Sequence, residues 1–126
     1  MADRRGRLGR GGEEAVAQWY LARGYTVLAR NWRCPVGELD LVLGGDDGAL
    51  LVFCEVKTRS GARFGSPFES VTASKQRRLR RLAGRWLAEA KEHDRIRAPD
   101  RLRIDVAAVR VGPGGVPVVE VLEDAC

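Results

Sequence analysis

Hydrophobic and polar positions along this chain follow two periods. From Ser74 to Lys91, the apolar residues Leu79, Leu82, Ala83, Trp86, Leu87 and Ala90 recur at steps of three and four, which places them on one face of an α-helix. Thr72 or Ser74 supplies a hydroxyl to cap its start. A shorter helix is predicted from Glu13 to Arg23, with Ala17, Tyr20 and Leu21 at helical spacing and Gly24 as its stop. Elsewhere the period falls to two or the run is continuously apolar. Tyr25–Arg30, Gly37–Leu43, Leu50–Thr58, Leu102–Val111 and Val116–Leu122 therefore read as strands. Gly44-Gly45-Asp46-Asp47-Gly48 between the second and third strands is hairpin chemistry, because Gly and Asp accept positive φ. Arg59 to Ser70 reads as a loop. The order αβββαββ predicts an α/β domain with a mixed sheet and helices packed against it. Residues 13–122 form that single domain, with a flexible basic lead over 1–12 and an acidic tail over 123–126.

Length and composition narrow the class. A chain of 126 residues holds one core, and 44% hydrophobic with 31% charged residues excludes disorder. The longest apolar run, Ala49 to Cys54, is far too short to span a bilayer, and no apolar stretch follows the basic N-terminus as a secretion signal would require. Cys34, Cys54 and Cys126 form no C-x-x-C pair, so neither a disulfide framework nor a structural zinc site is expected. The expectation is a cytoplasmic domain with reduced thiols.

Charge is concentrated. Residues 56–91 carry ten Lys and Arg against Glu69 and Glu89, a net of +8, and Arg4, Arg5, Arg7 and Arg10 add to this upstream. Such clustering attracts polyanions, nucleic acid above all, although a basic helix face also serves simply to keep a surface solvated. No Trp- or Phe-rich amphipathic anchor accompanies it, so a membrane surface is the poorer partner.

The candidate chemistry lies on the predicted hairpin. Strict alternation puts Leu39, Leu41 and Leu43 on one face of the first arm and Glu38, Asp40 and Val42 on the other. With the turn centred on Asp47-Gly48, Asp40 falls opposite Glu55 and Glu38 opposite Lys57. Opposed carboxylates repel unless a cation lies between them. Mg²⁺ suits that position, since it takes one or two carboxylates and fills its shell with water and phosphate oxygens. The plainer reading is a surface ladder in which Glu38 pairs with Lys57. Glu14, if its helix packs on the sheet, adds a third carboxylate; otherwise it is a solvated first-turn acid. His93 is the only histidine, so a Ser–His–Asp centre lacks its parts, and no phosphate-binding G-x-x-x-x-G-K-[ST] occurs. Cys54 reads as a small core residue, Trp86 belongs to the helix's apolar face, and Trp19 and Trp32 are open to either core packing or base stacking.

Several stretches together resemble a known family. They are Glu14-x-x-Ala17-x-x-x-Leu21-x-x-x-Gly24-Tyr25, Arg30-Asn31-Trp32-Arg33, Gly37-Glu38-Leu39-Asp40-Leu41-Val42 and Val52-Phe53-Cys54-Glu55-Val56-Lys57-Thr58-Arg59. Phe64-Gly65-x-Pro67, Val71-Thr72-x-x-Lys75-Gln76 and Arg103-Ile104-Asp105-Val106 continue them. From about Gly9 to Val111 the chain resembles the YraN-type family of small bacterial proteins, which belongs with the restriction-endonuclease-like PD-(D/E)XK nucleases and is similar there to archaeal Holliday-junction resolvases. The resemblance implies Asp40 and Glu55 as metal carboxylates, Lys57 as catalytic lysine and Glu14 as the helix-borne acid, with Lys75 and Gln76 near the site. Glu13 departs from the family's small glycine and Cys54 from its usual valine. Residues and resemblance together point to a Mg²⁺- or Mn²⁺-dependent endonuclease on DNA, branched or single-stranded, with Arg77, Arg78, Arg80 and Arg81 holding the backbone. The rivals are a nucleic-acid-binding module that performs no chemistry and a protein–protein adaptor. A homodimer would suit symmetric junction cutting.

Overall fold

The structure, a computed structural model, describes residues 4–59 and 71–125. The motif around Phe64-Gly65-x-Pro67 and the loop residues 60–70 lie outside the described residues. The elements are α1 (Arg4–Leu21), β1 (Thr26–Cys34), β2 (Gly37–Gly45), β3 (Leu50–Arg59), α2 (Ala73–Glu92), β4 (Arg101–Val111) and β5 (Pro117–Leu122). The strands form one five-stranded sheet in the order β1-β2-β3-β4-β5. β1, β2 and β3 pair antiparallel as a meander, β3 and β4 pair in parallel, and β4 and β5 pair antiparallel. The parallel pair needs a crossover, and α2 provides it. This is the mixed α/β arrangement expected, compatible with a restriction-endonuclease-like fold.

Each face of the sheet buries one helix. α1 sets Val16, Ala17 and Tyr20 against Leu41, Leu43, Val52, Cys54, Ala107 and Val109. On the opposite face α2 sets Leu79, Leu82, Ala83, Trp86 and Ala90 against Leu39, Val42, Leu51, Phe53 and Ile104. Trp86 meets Phe53 edge-on at a centroid distance of 5.8 Å, so its ring belongs to the core. Thr72 caps α2, its hydroxyl accepting from the Lys75 N–H at 3.2 Å.

Two expectations are corrected. α1 begins at Arg4, not Glu13, so described residues 4–12 are helical. Glycines at 6, 9, 11 and 12 lower helix propensity, which hides this extension in the sequence. Gly12 has a packing reason to be glycine, because a Cβ there would stand 2.5 Å from the Thr58 hydroxyl of β3. Once the packed part of the helix is nucleated, further residues add at little cost. The second correction concerns parity. Leu39 lies in the α2 core with Val42, while Leu41 and Leu43 lie in the α1 core. The three leucines do not share a face, because the alternation of β2 breaks at Asp40.

A buried polar cluster ties α1 to β4 and to the residues after β5. Asp105 is fully buried, at 0% exposure, yet fully partnered. It accepts from the Tyr20 hydroxyl at 2.6 Å, from Arg103 Nε and Nη2 at 2.9 Å each, and from the Asp124 N–H at 3.0 Å. Burial, followed by the neighbouring Cys54 and then the charge of Asp105, pushes the Tyr20 phenol upward, so it remains a donor at any working pH. Tyr20→Phe removes one charge-assisted bond from this cluster. It should lower stability by about 1.5–3 kcal/mol in urea denaturation while leaving the far-ultraviolet circular dichroism unchanged.

Candidate metal and nucleic-acid site

The site begins where two strands part. The β2–β3 ladder runs from Gly45↔Leu50 to Leu41↔Cys54, which centres the turn on Asp47-Gly48 as predicted. One step further, in place of a backbone carbonyl, the Asp40 carboxylate accepts the Val56 N–H at 2.7 Å. On the other side of β2, the pairs Arg30↔Leu41 and Trp32↔Leu39 bracket Asn31, which stands abreast of Asp40 with φ 49°. Asn tolerates this left-handed conformation better than most residues. The backbone of β1 is thus irregular at Asn31, level with the point where the side-chain alternation of β2 breaks at Asp40.

Carboxylates gather around that point. Burial is the main influence on Asp40 and raises its pKa to about 6; the Val56 N–H opposes this, and the charges of Glu13, Glu38 and Glu55 add to it. Glu13, on α1, is also raised, by burial first and by Glu38, against a stabilising hydrogen bond from Asn31. Glu14 faces elsewhere. It is exposed, accepts from Gln18 at 2.9 Å and pairs with Arg30 at 2.6 Å, which together lower its pKa. The helix acid whose charge acts on Asp40 is thus Glu13, while Glu14, the acid expected there, pairs with Arg30. Helical geometry is the reason: Val16, Ala17 and Tyr20 fix which side of α1 meets the sheet, and Glu13 lies nearer that side.

Glu55 projects from β3 with its side chain 18% exposed. Its Oε1 lies 3.6 Å from Arg78 of α2, while Oε2 is buried and has no hydrogen-bond partner among the described residues. Lys57 follows two residues later and is half-buried. Glu38 does not continue the β2–β3 ladder; it pairs with Arg33 of β1, its Oε2 3.6 Å from the guanidinium. Lys75 and Gln76 are partly buried in the first turns of α2, with Gln76 Nε2 donating to the Val71 carbonyl at 3.5 Å. Arg77 and Arg81 are exposed, and Arg80 lies on the opposite flank of the helix beside Phe53 and Ile104. The structure brings Asp40, Glu55 and Arg78 toward one another and does not bring Arg80 there. Sequence reasoning put Glu38 on the face of Asp40 but did not bring Glu13 of α1 or Asn31 of β1 beside it. The Asn31 irregularity was the missing signal, and an Arg-Asn-Trp strand segment does not announce it.

A divalent ion would meet hard oxygen donors here. Among the described residues, no three Asp, Glu, His or Cys side chains converge as a complete metal cage. Asp40 and Glu55 nevertheless fit Mg²⁺, which needs only one or two protein carboxylates and otherwise takes water and phosphate oxygens. The partnerless Glu55 Oε2 and the proton-raising crowd around Asp40 are both relieved by a cation. Cys54, by contrast, is a buried core thiol whose pKa is pushed up chiefly by burial, and it offers no thiolate.

The sequence match decides the family. A profile described as "Uncharacterised protein family UPF0102" covers residues 12–109. The chain belongs to UPF0102, the YraN-type family. It is 54% identical over 118 residues to a UPF0102 protein of Frankia alni, covering 94% of this chain and 92% of that one. It is 50% identical over 119 residues to a UPF0102 protein of Clavibacter michiganensis, covering 94% and 95%. With a UPF0102 protein of Symbiobacterium thermophilum the identity is 49% over 109 residues, 86% of each chain. The UPF0102 match takes in Glu13, Asp40, Glu55, Lys57 and all of α2. No helix among the described residues is long and apolar enough to cross a membrane.

A raised carboxylate pKa has a signed consequence for stability. Asp40 in the fold holds its proton up to about pH 6, whereas an unfolded Asp releases it near pH 4. Between those values the native state binds more protons, so stability falls as pH rises through the window. Asp40→Asn should therefore stabilise the metal-free protein at pH 7.5, by on the order of 1–3 kcal/mol, and the gain should vanish at pH 4. Thermal melts of both proteins in chelator at the two pH values check this.

Proposed function

We propose that this UPF0102 protein hydrolyses phosphodiester bonds in DNA, as an endonuclease that uses Mg²⁺ or Mn²⁺ and takes branched or single-stranded substrates. The observation that carries this reading is Glu55 Oε2, a buried carboxylate oxygen without a donor among the described residues, beside a second carboxylate already burdened by like charges. Asp40 and Glu55 would hold the ion, and Glu13 stands close enough to Asp40 to add to the negative field. When bound, a divalent ion supplies Lewis acidity at the phosphate and a lowered pKa for water.

The chain's own groups account for the remainder. Val56 fixes the Asp40 carboxylate through its N–H, so the ligand is oriented before substrate arrives. Lys57 would place its ammonium beside the non-bridging oxygens as charge grows on them. Lys75, Arg77, Arg78 and Arg81 would contact successive phosphates without reading bases, which suits recognition by shape. Arg80, on the far flank of α2, would contribute only to the general field.

One observation favours the rival, a binding module without chemistry: the protein already supplies Glu55 with a cation, Arg78 at 3.6 Å. Cleavage decides between them. Junction, flap and single-stranded DNA are incubated with Mg²⁺, with Mn²⁺ and with EDTA. The expected result is metal-dependent cleavage of at least one substrate, abolished in Asp40→Ala/Glu55→Ala and reduced roughly 10²- to 10³-fold in Lys57→Met. Binding without cleavage in any metal would favour the module. Separately, Arg77→Ala/Arg81→Ala should reduce the slope of log binding constant against log salt by about 1 for each phosphate no longer neutralised. A fluorescence-anisotropy salt series measures that slope.

A further inference from the structure

Two arginine–carboxylate pairs in this fold are built differently. Arg103 grips the fully buried Asp105 through two nitrogens at 2.9 Å, and every other lone pair of Asp105 that needs a donor finds one. Arg78 instead stands off Glu55 at 3.6 Å, beyond the range of a charge-assisted hydrogen bond, and leaves Oε2 without a partner among the described residues. The first pair is locked. The second neutralises charge but does not satisfy the lone pairs of the carboxylate it faces. The exposures agree, since Arg78 is 48% exposed while Glu55 is 18% exposed.

We propose that Arg78 is a displaceable counter-ion that occupies the charge position of the metal at Glu55 and is drawn away by a nucleic-acid phosphate, so that divalent-ion binding and nucleic-acid binding are positively coupled through this residue. The inference rests on the reading of Asp40 and Glu55 as the ion's ligands. Arg78 immediately precedes the buried Leu79, so it lies on the flank of α2 that overlooks β3, with Lys75 one turn upstream. A phosphate offers its guanidinium two parallel hydrogen bonds, a better arrangement than the single loose contact with Glu55.

The sign of the coupling follows from charge. Withdrawing Arg78 exposes Glu55 to the full repulsion of Asp40, with Glu13 and Glu38 behind it, and a divalent ion removes that penalty. Conversely, an ion seated at Glu55 repels the guanidinium and frees it for phosphate. Each ligand therefore assists the other by the same factor, as linkage requires.

Calorimetric Mn²⁺ titrations of the full chain test the coupling, with and without a phosphorothioate single-stranded oligonucleotide. Wild type should bind Mn²⁺ about 5- to 100-fold more tightly when the oligonucleotide is present. Arg78→Ala and Arg78→Gln should bind Mn²⁺ more tightly than wild type in its absence, and gain little when it is added. Arg77→Ala, one residue away and exposed, should weaken oligonucleotide binding but keep the gain. Equal Mn²⁺ affinity in wild type and both Arg78 variants, or an undiminished gain in those variants, overturns the coupling and leaves the metal site standing. Failure of every variant and of wild type to bind Mn²⁺ overturns the metal site and the coupling with it.

Discussion

The Asp40–Val56 hydrogen bond is the hinge on which the rest of the site turns. A β-ladder has one donor and one acceptor per residue, and each must be satisfied once buried. By giving the Val56 N–H a side-chain carboxylate instead of a carbonyl, β2 is released from β3 without stranding a donor. That release lets the two strands separate at the end of the sheet where Glu55 and Lys57 emerge. It also reverses the parity of β2, which sends Leu39 into the α2 core and Leu41 into the α1 core. Asn31, abreast of Asp40 in the left-handed region, makes the same adjustment in β1. One local substitution of acceptor thus sets the placement of a carboxylate and the packing of both layers.

The fold contains a second acidic centre that shows what satisfaction looks like. Asp105 is more deeply buried than any carboxylate near Asp40, yet Tyr20, Arg103 and Asp124 leave it no unmet demand. It acts as a structural tie. Around Asp40 the same residue types are left in tension, with like charges crowded and one buried oxygen idle. Stability alone would favour completing that second centre with further donors. An incomplete polar cluster beside a cationic helix is the pattern expected where a ligand finishes the structure.

The sequence made the elements and the hairpin register legible because these depend on local periodicity and turn chemistry. The apolar residues of α2, the Thr72 cap and the Asp47-Gly48 turn are each written within a few residues. The break in alternation at Asp40 is not, because strict alternation is the default for a strand, and only the αL state of Asn31 and the bond to Val56 reveal the exception. The choice between Glu13 and Glu14 was hidden for a related reason: adjacent helix residues differ by about 100° of rotation, and the docking angle of α1 is a tertiary property. The start of α1 at Arg4 was masked by glycines, one of which, Gly12, is present for its close approach to Thr58 and not for flexibility. The Asp105 cluster spans residues from Tyr20 to Asp124, too far apart in the chain for any spacing rule to connect them.

The meander β1–β2–β3 also bears on the order of assembly. Its neighbours along the sheet are neighbours along the chain, whereas β3 meets β4 only after the crossover through α2 closes. Pairings of short sequence separation form sooner than those that must first close a long loop. In that order of assembly Asp40 and Glu55 would meet in the early hairpin, before α2 docks and delivers Arg78. For that interval the nascent sheet carries its negative charges without their guanidinium, and dissolved cations are the species at hand to shield them.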